Sequence, residues 1–199
     1  MKDIWYGDNR DLIKWGVLLT LADQYRIGRI LQVAYFRPSV WPTIEIDGVE
    51  HPLPAEVVEH FRDFRTIARL PKGRRSLEIL PIEVPFVDRD RYLSAVIDTI
   101  LESPAPSIVF LDPDTGLQPL RPSMEHILES ELTAIWDRMR ESDILVLYQH
   151  QTNRAGAPWI EPKRAQFEQA IGIAPGSARL ASGAAARDVV FFIASKILP

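Results

Sequence analysis

Three short runs in this chain carry residue types that could do chemistry. One is Asp112-Pro113-Asp114-Thr115-Gly116, which follows directly on the apolar stretch "SIVFL". A second is Tyr148-Gln149-His150, which closes the stretch "DILVLYQH" and is followed by Asn153 and Arg154. Carboxylates and an imidazole can move protons, accept hydrogen bonds from an amine, or hold a hard divalent cation such as Mg²⁺ or Mn²⁺. The third run, "YGDNRDLIKW", carries Asp8, Arg10, Asp11 and Lys14. On a helix, Arg10, Asp11 and Lys14 share one side through their i,i+3 and i,i+4 spacing. Such a helix could deliver the Lys14 ammonium to the other two runs, with Trp5, Tyr6 and Trp15 supplying apolar or stacking surface.

Each run also has a plain structural use. Pro, Asp and Gly in Asp112–Gly116 suit a tight bend. His150 can be an ordinary residue at a strand end, and Tyr148 ordinary core. Asp8 and Asp11 suit a helix N-cap and its capping-box partner, and a surface ion pair to Lys14 would contribute only ~0–1 kcal/mol. His51, His60 and His126 have no partners at ligand spacing and read as surface residues. The basic run Lys72, Arg74 and Arg75 in "PKGRRS" could touch phosphates or be a solvated loop.

The elements that must position these residues follow from periodicity. Residues 8–25 read as a helix, with Leu12, Gly16, Leu19 and Ala22 expected on one face. "RILQVAYF", residues 29–36, reads as a buried strand. "TIEIDGVEH" alternates about Asp47-Gly48 and predicts a hairpin. A helix is expected from about 55 to 70. "SLEILPIEV" reads as a strand that Pro81 and Pro85 make short or an edge. Residues 89–102 predict an amphipathic helix. Residues 107–111 and 143–148 are continuous apolar strands to be covered on both faces. Helices are expected over 123–141 and over "PKRAQFEQAIG", the latter begun by Pro162 and stopped by Gly172. "ARLASG" and "RDVVFFIASKI" can pair antiparallel about "AAA". Alternating strands and helices predict a single α/β domain over 1–199: a three-layer Rossmann-like sheet, mostly parallel, with a C-terminal antiparallel hairpin at one edge. In such sheets ligands bind beyond the carboxyl ends of the strands. If the two apolar strands are neighbours, Asp112, Asp114 and His150 converge on one rim, and Lys14 and Asp112 are expected to share a pocket there.

Composition limits the function classes. With 46% hydrophobic and 25% charged residues over 199 positions, this is ordinary globular material with length enough for a real core. The net charge of −4 gives no global attraction to nucleic acid or anionic membrane. The absence of cysteine removes disulfides, thiolate nucleophiles and cysteine-bound zinc or iron–sulfur centres. "MKDIWYGD" lacks the apolar core of a signal peptide, and no apolar run reaches the ~20 residues of a membrane span. A cytoplasmic location and no membrane partner are expected. Nothing in the sequence sets the oligomeric state.

The set Gly7-Asp8-x-x-Asp11-x-x-Lys14-Trp15, then "VFLDPDTGL", then "LYQHQ" resembles an uncharacterised bacterial family with the same blocks in the same order. The first block also resembles the N-terminal segment of ribosomal large-subunit RNA adenine-N6 methyltransferases. That resemblance implies a class I methyltransferase-like fold, S-adenosylmethionine as cofactor, and a nucleobase amine in a nucleic acid or nucleotide as acceptor. Asp112-Pro113-Asp114-Thr115 falls where those enzymes carry Asp-Pro-Pro-Tyr, which holds the target amine. By that likeness Asp112 would hold the acceptor amine, and in such an enzyme Lys14 would orient substrate; with His150 from the shared rim these are the candidate catalytic residues, and Asp8, Asp11, Asp114, Tyr148 and Arg154 are the candidate substrate-binding ones. Two features differ. Asp114-Thr115 replaces the Pro-Tyr of the motif, so Tyr6 or Tyr148 would have to supply the stacking ring. No glycine lies between Gly28 and Gly48, where a class I enzyme brings its backbone close to the cofactor. Two other functions fit the same residues. One is a metal-dependent nuclease or phosphodiesterase using Asp112, Asp114 and His150 with Mg²⁺ or Mn²⁺. The other is a non-catalytic Rossmann-like binding module.

Overall fold

The computed structural model describes residues 9–37, 43–46, 48–52, 54, 64–70, 77–153 and 158–197. Its elements, in chain order, begin with α1 (Asn9–Tyr25), β1 (Arg29–Val33), β2 (Thr43–Ile46), β3 (Val49–Pro52) and a 3-10 helix (Phe64–Arg69). They continue with β4 (Glu78–Pro81), α2 (Arg89–Glu102), β5 (Ile108–Leu111), β6 (Gly116–Leu117), β7 (His126–Ile127) and α3 (Glu129–Arg138). β8 (Ile144–His150), α4 (Ile160–Ile171), β9 (Arg179–Gly183) and β10 (Ala186–Ser195) complete the described chain.

Six strands form one sheet in the order β4-β1-β5-β8-β10-β9. The first four are parallel, β10 runs antiparallel to β8, and β9 runs antiparallel to β10. This is an α/β architecture with a mostly parallel central sheet and an antiparallel C-terminal part. Side-chain alternation divides the core into two layers. Leu31, Val33, Val109, Leu111, Leu145 and Leu147 face α2, α3 and α4. Ile30, Ile108, Phe110, Ile144, Val146 and Tyr148 face α1. Each such aliphatic or aromatic side chain, once buried, contributes about 1.5–3 kcal/mol. No helix among the described residues is long and apolar enough to cross a membrane.

Pro81 limits β4 to the edge position, where it pairs with β1 alone. The hairpin predicted about Asp47-Gly48 is present as β2–β3, with Gly48 at φ +78. α4 ends on Gly172 in the left-handed region, φ +68. β9 and β10 pair as expected, with β10 threaded between β8 and β9.

Four expectations need correction. The first strand stops at Val33, because Tyr35 takes φ +48 and breaks the ladder. Of residues 55–70, the described part is a 3-10 helix over Phe64–Arg69, and 55–63 lie outside the described residues. The helix expected over 123–141 begins only at Glu129. Arg89 of α2 takes the carbonyls of Ser123 and His126, and His126-Ile127 pairs with Gly116-Leu117 instead. Finally, the buried face of α1 is not the one expected. Leu12 is exposed and Leu19 half-buried, whereas Asp11, Lys14, Trp15, Leu18, Leu21 and Ala22 are buried. Trp15, Leu18 and Ala22 set the stripe, and the same period extended backwards carries Lys14 and Asp11 under the helix.

Candidate functional site

The carboxyl ends of β1, β5 and β8 form the rim on which the polar runs emerge. β4 follows β1 in sequence and lies on one side of it, while β5 lies on the other. The switch point of the sheet therefore falls between β1 and β5, where α/β proteins open a ligand crevice. The Asp112 amide donates to Val33 O at 2.9 Å and ties the end of β5 to the end of β1.

The turn beyond Asp112 is held by Gln149, which is fully buried. Its Oε1 accepts from the Leu117 amide at 2.8 Å, and its Nε2 donates to Thr115 O at 3.0 Å and His150 O at 2.7 Å. Gly116 is required beneath it. Its φ is +113, and a Cβ there would stand 2.4 Å from Gln149 Oε1.

Lys14 meets Asp112 directly. Its Nζ lies 2.9 Å from Asp112 Oδ1 and 3.2 Å from Asp11 Oδ1, and 4.5 Å above the Tyr148 ring centre. Lys14 is 6% exposed and Asp112 1%. Burial alone would lower the Lys14 pKa, but the charges of Asp112 and Asp11 outweigh it and hold the ammonium protonated, above its ordinary range. Burial pushes the Asp112 carboxyl up, with Lys14 opposing and Asp11 adding to the rise. Asp112 Oδ2 has no hydrogen-bond partner among the described residues. Nor has Oε1 of Gln32, a buried residue on the α1-facing side of β1, beside Phe110 in register. Two acceptors without donors thus lie on one face of neighbouring strands.

His150 and Asp114 do not join this pair. His150 Nε2 lies 3.1 Å from Asp188 Oδ2, which also accepts from Arg10 at 2.5 Å. Asp188 sits in the stretch of β10 where the register with β9 shifts, an irregularity that can turn a side chain toward the rim. Burial alone would raise its pKa, yet the Arg10 hydrogen bond and charge, with His150, hold it below the usual carboxylate range. Asp114 pairs with Arg37, whose guanidinium also lies 3.8 Å from Glu125. The rim therefore carries three separate constellations rather than one convergent triad. Among the described residues, no group of three or more His, Asp or Glu could hold a metal ion.

Tyr148 is 3% exposed, and one face of its ring is occupied by Lys14 rather than open for a base. Asp8, Tyr6, Arg154 and the run Lys72–Arg75 lie outside the described residues. Arg37, Asp188 and Gln32 are not among the residues the sequence singles out, and Gln149 stands there only within the run Tyr148-Gln149-His150. Arg37 was readable as the first charge after β1. Asp188 reaches His150 only through strand pairing, which no local pattern reports.

The loop after β1 does not fit S-adenosylmethionine held by a close backbone approach. In place of glycines stand Ala34, Tyr35 and Phe36. The Tyr35 ring lies 5.0 Å from Phe86 and 5.2 Å from Tyr92, and the Tyr35 amide donates to Tyr92 Oη at 2.8 Å. That cluster is core, with Tyr35 3% exposed. Comparison with known proteins returned no matching protein-family model, no matching curated protein and no matching solved structure.

Proposed function

We propose that the protein is a methyltransferase-like Rossmann module that binds a nucleobase through its exocyclic amine and uses no adenosylmethionine. The observation that carries this reading is Asp112 Oδ2, a buried carboxylate oxygen at the end of β5 without a donor among the described residues. A buried acceptor left without a donor costs about 1–3 kcal/mol, more when charged. An amine N–H would remove that cost. Lys14 meets the opposite oxygen as an ion pair at 2.9 Å, which leaves Oδ2 the oxygen open to a second donor. Gln32 Oε1 offers a second acceptor on the same face. The order of β5, α3, β8, α4 and an antiparallel pair supports the methyltransferase-like part of the reading. The Tyr35 cluster supports the absence of the methyl donor, so the proposed activity is recognition rather than methyl transfer.

Thermal unfolding with adenosine and, separately, with S-adenosylhomocysteine tests both halves. A ligand at ~100 times its dissociation constant stabilises by about 2.7 kcal/mol. For a chain of this size that raises Tm by roughly 5–10 °C. We expect a shift with adenosine and none with S-adenosylhomocysteine. The double variant Lys14→Met/Asp112→Ala removes the Lys14–Asp112 pair without adding volume to the core and should keep the fold but lose the adenosine shift. An adenosine shift that survives in this variant would rule out Asp112 as the acceptor. A shift with S-adenosylhomocysteine would overturn the cofactor-free reading.

A further inference from the structure

The geometry points to Arg37 as a phosphate-binding residue, held in the free protein by Asp114 and Glu125 in place of a ligand phosphate. This assignment deepens the nucleobase reading: the ligand becomes a nucleotide, with its base amine at Asp112 and its phosphate at Arg37. Arg37 is the only cation the described chain brings from β1 to the switch point. It gets there through a strained turn, because Tyr35 is a bulky residue in the left-handed region at φ +48. Conformations of that kind persist where the surroundings hold them, here the Tyr35 amide on Tyr92 Oη. The guanidinium is 20% exposed and faces Asp114, itself 14% exposed, with Glu125 3.8 Å away and 43% exposed. Two carboxylates around one guanidinium present the same oxygen-rich fork that a phosphate presents. Arg37 Nε remains buried without an acceptor among the described residues. Both carboxylates approach the guanidinium at Nη2 and leave Nε unused, and a phosphate has further oxygens to offer it.

The two ends lie within reach of one small ligand. Asp112 and Asp114 are two residues apart in the same turn, so their Cα atoms are at most about 7 Å from each other. The turn is fixed to β8 by Gln149. Asp114 then acts as an internal competitor: a phosphate must displace it from Arg37, and removing its charge should favour the phosphate.

Titration calorimetry of the full chain with adenosine, adenosine monophosphate and inorganic phosphate tests the assignment. The wild type should bind the monophosphate about tenfold tighter than adenosine, the size of one charge-assisted contact. Arg37→Gln should abolish that preference, bringing the ratio of the two affinities close to one. Asp114→Asn should tighten monophosphate binding several-fold, and because it removes only a charge it answers the question even if Arg37→Gln fails to fold. Equal affinities for adenosine and its monophosphate in the wild type, or an Asp114→Asn variant with unchanged or weaker monophosphate binding, would overturn the assignment. Inorganic phosphate that binds, competes with the Asp114 contact and is lost in Arg37→Gln, with adenosine not binding at all, would keep Arg37 as an anion site and sink the nucleobase reading instead.

Discussion

One ammonium stands between two carboxylates under α1, and its charge decides what each substitution does. Removing Lys14 leaves Asp112 buried and uncompensated. Lys14→Met should cost about 3–5 kcal/mol in urea denaturation, whereas Asp112→Asn should cost clearly less. A Lys14→Met variant within 1 kcal/mol of wild type would show that the pair is better hydrated than its burial implies. The pH dependence has a definite sign. A folded-state pKa above the unfolded value, as at Asp112, gives a stability contribution fully present below the unfolded value and lost as pH rises through the folded one. The stability of wild type relative to Asp112→Asn should therefore fall as the pH rises above about 4. A gap independent of pH would contradict the raised carboxyl. Gly116 is the other sensitive residue. Gly116→Ala meets both a positive φ and the clamped Gln149 amide, and should cost at least ~2 kcal/mol. The types of these residues were plain in the sequence. Their burial was not, because charge in a first helical turn ordinarily means a solvated cap.

At the scale of elements, periodicity was most informative where it was long and uninterrupted. The strands at 108–111 and 144–150 and the helix at 89–102 lie where they were expected, because continuous apolar runs and a clean amphipathic stripe leave few alternatives. The face of α1 was misassigned because Leu12 and Leu19 suggested a stripe that the heavier Trp15, Leu18 and Leu21 override. Leu18→Ala should cost 2–5 kcal/mol, while Leu12→Ala should stay within about 0.5 kcal/mol. Equal costs would place the wrong face inward. The start of α3 differs from the expected one because Arg89, 34 and 37 residues earlier in the chain yet in hydrogen-bond reach, claims the carbonyls of Ser123 and His126. The Arg10–Asp188 contact ties α1 to β10 at the rim. A pKa held below the unfolded value contributes stability above that value and loses it as pH falls through the folded one. Asp188→Asn should thus cost up to ~1 kcal/mol near neutral pH and nothing in acid, since the pair is a third exposed. A cost that persists in acid would mean a packing role.

For the whole molecule, the separation of the rim into three ion-paired groups follows from where the sheet changes direction. Lys14–Asp112 and Arg37–Asp114 flank the β1–β5 boundary, and Arg10–Asp188–His150 lies where the parallel strands give way to the antiparallel pair. Sequence order could suggest that the polar runs meet at one edge, but only the pairing of strands distributes them among cations. The threading of β10 has a consequence for synthesis. It is the last strand made of those in the sheet, yet it lies inside the sheet, between β8 and β9. Until it emerges from the ribosome, β8 is an open apolar edge and β9 has no neighbour on the side β10 will fill. A nascent chain stalled before Ala186 should accordingly be recognised by chaperones or aggregate. Asp188 then arrives with that closing strand, so the Arg10–Asp188–His150 group forms only in the act that shields the nascent sheet.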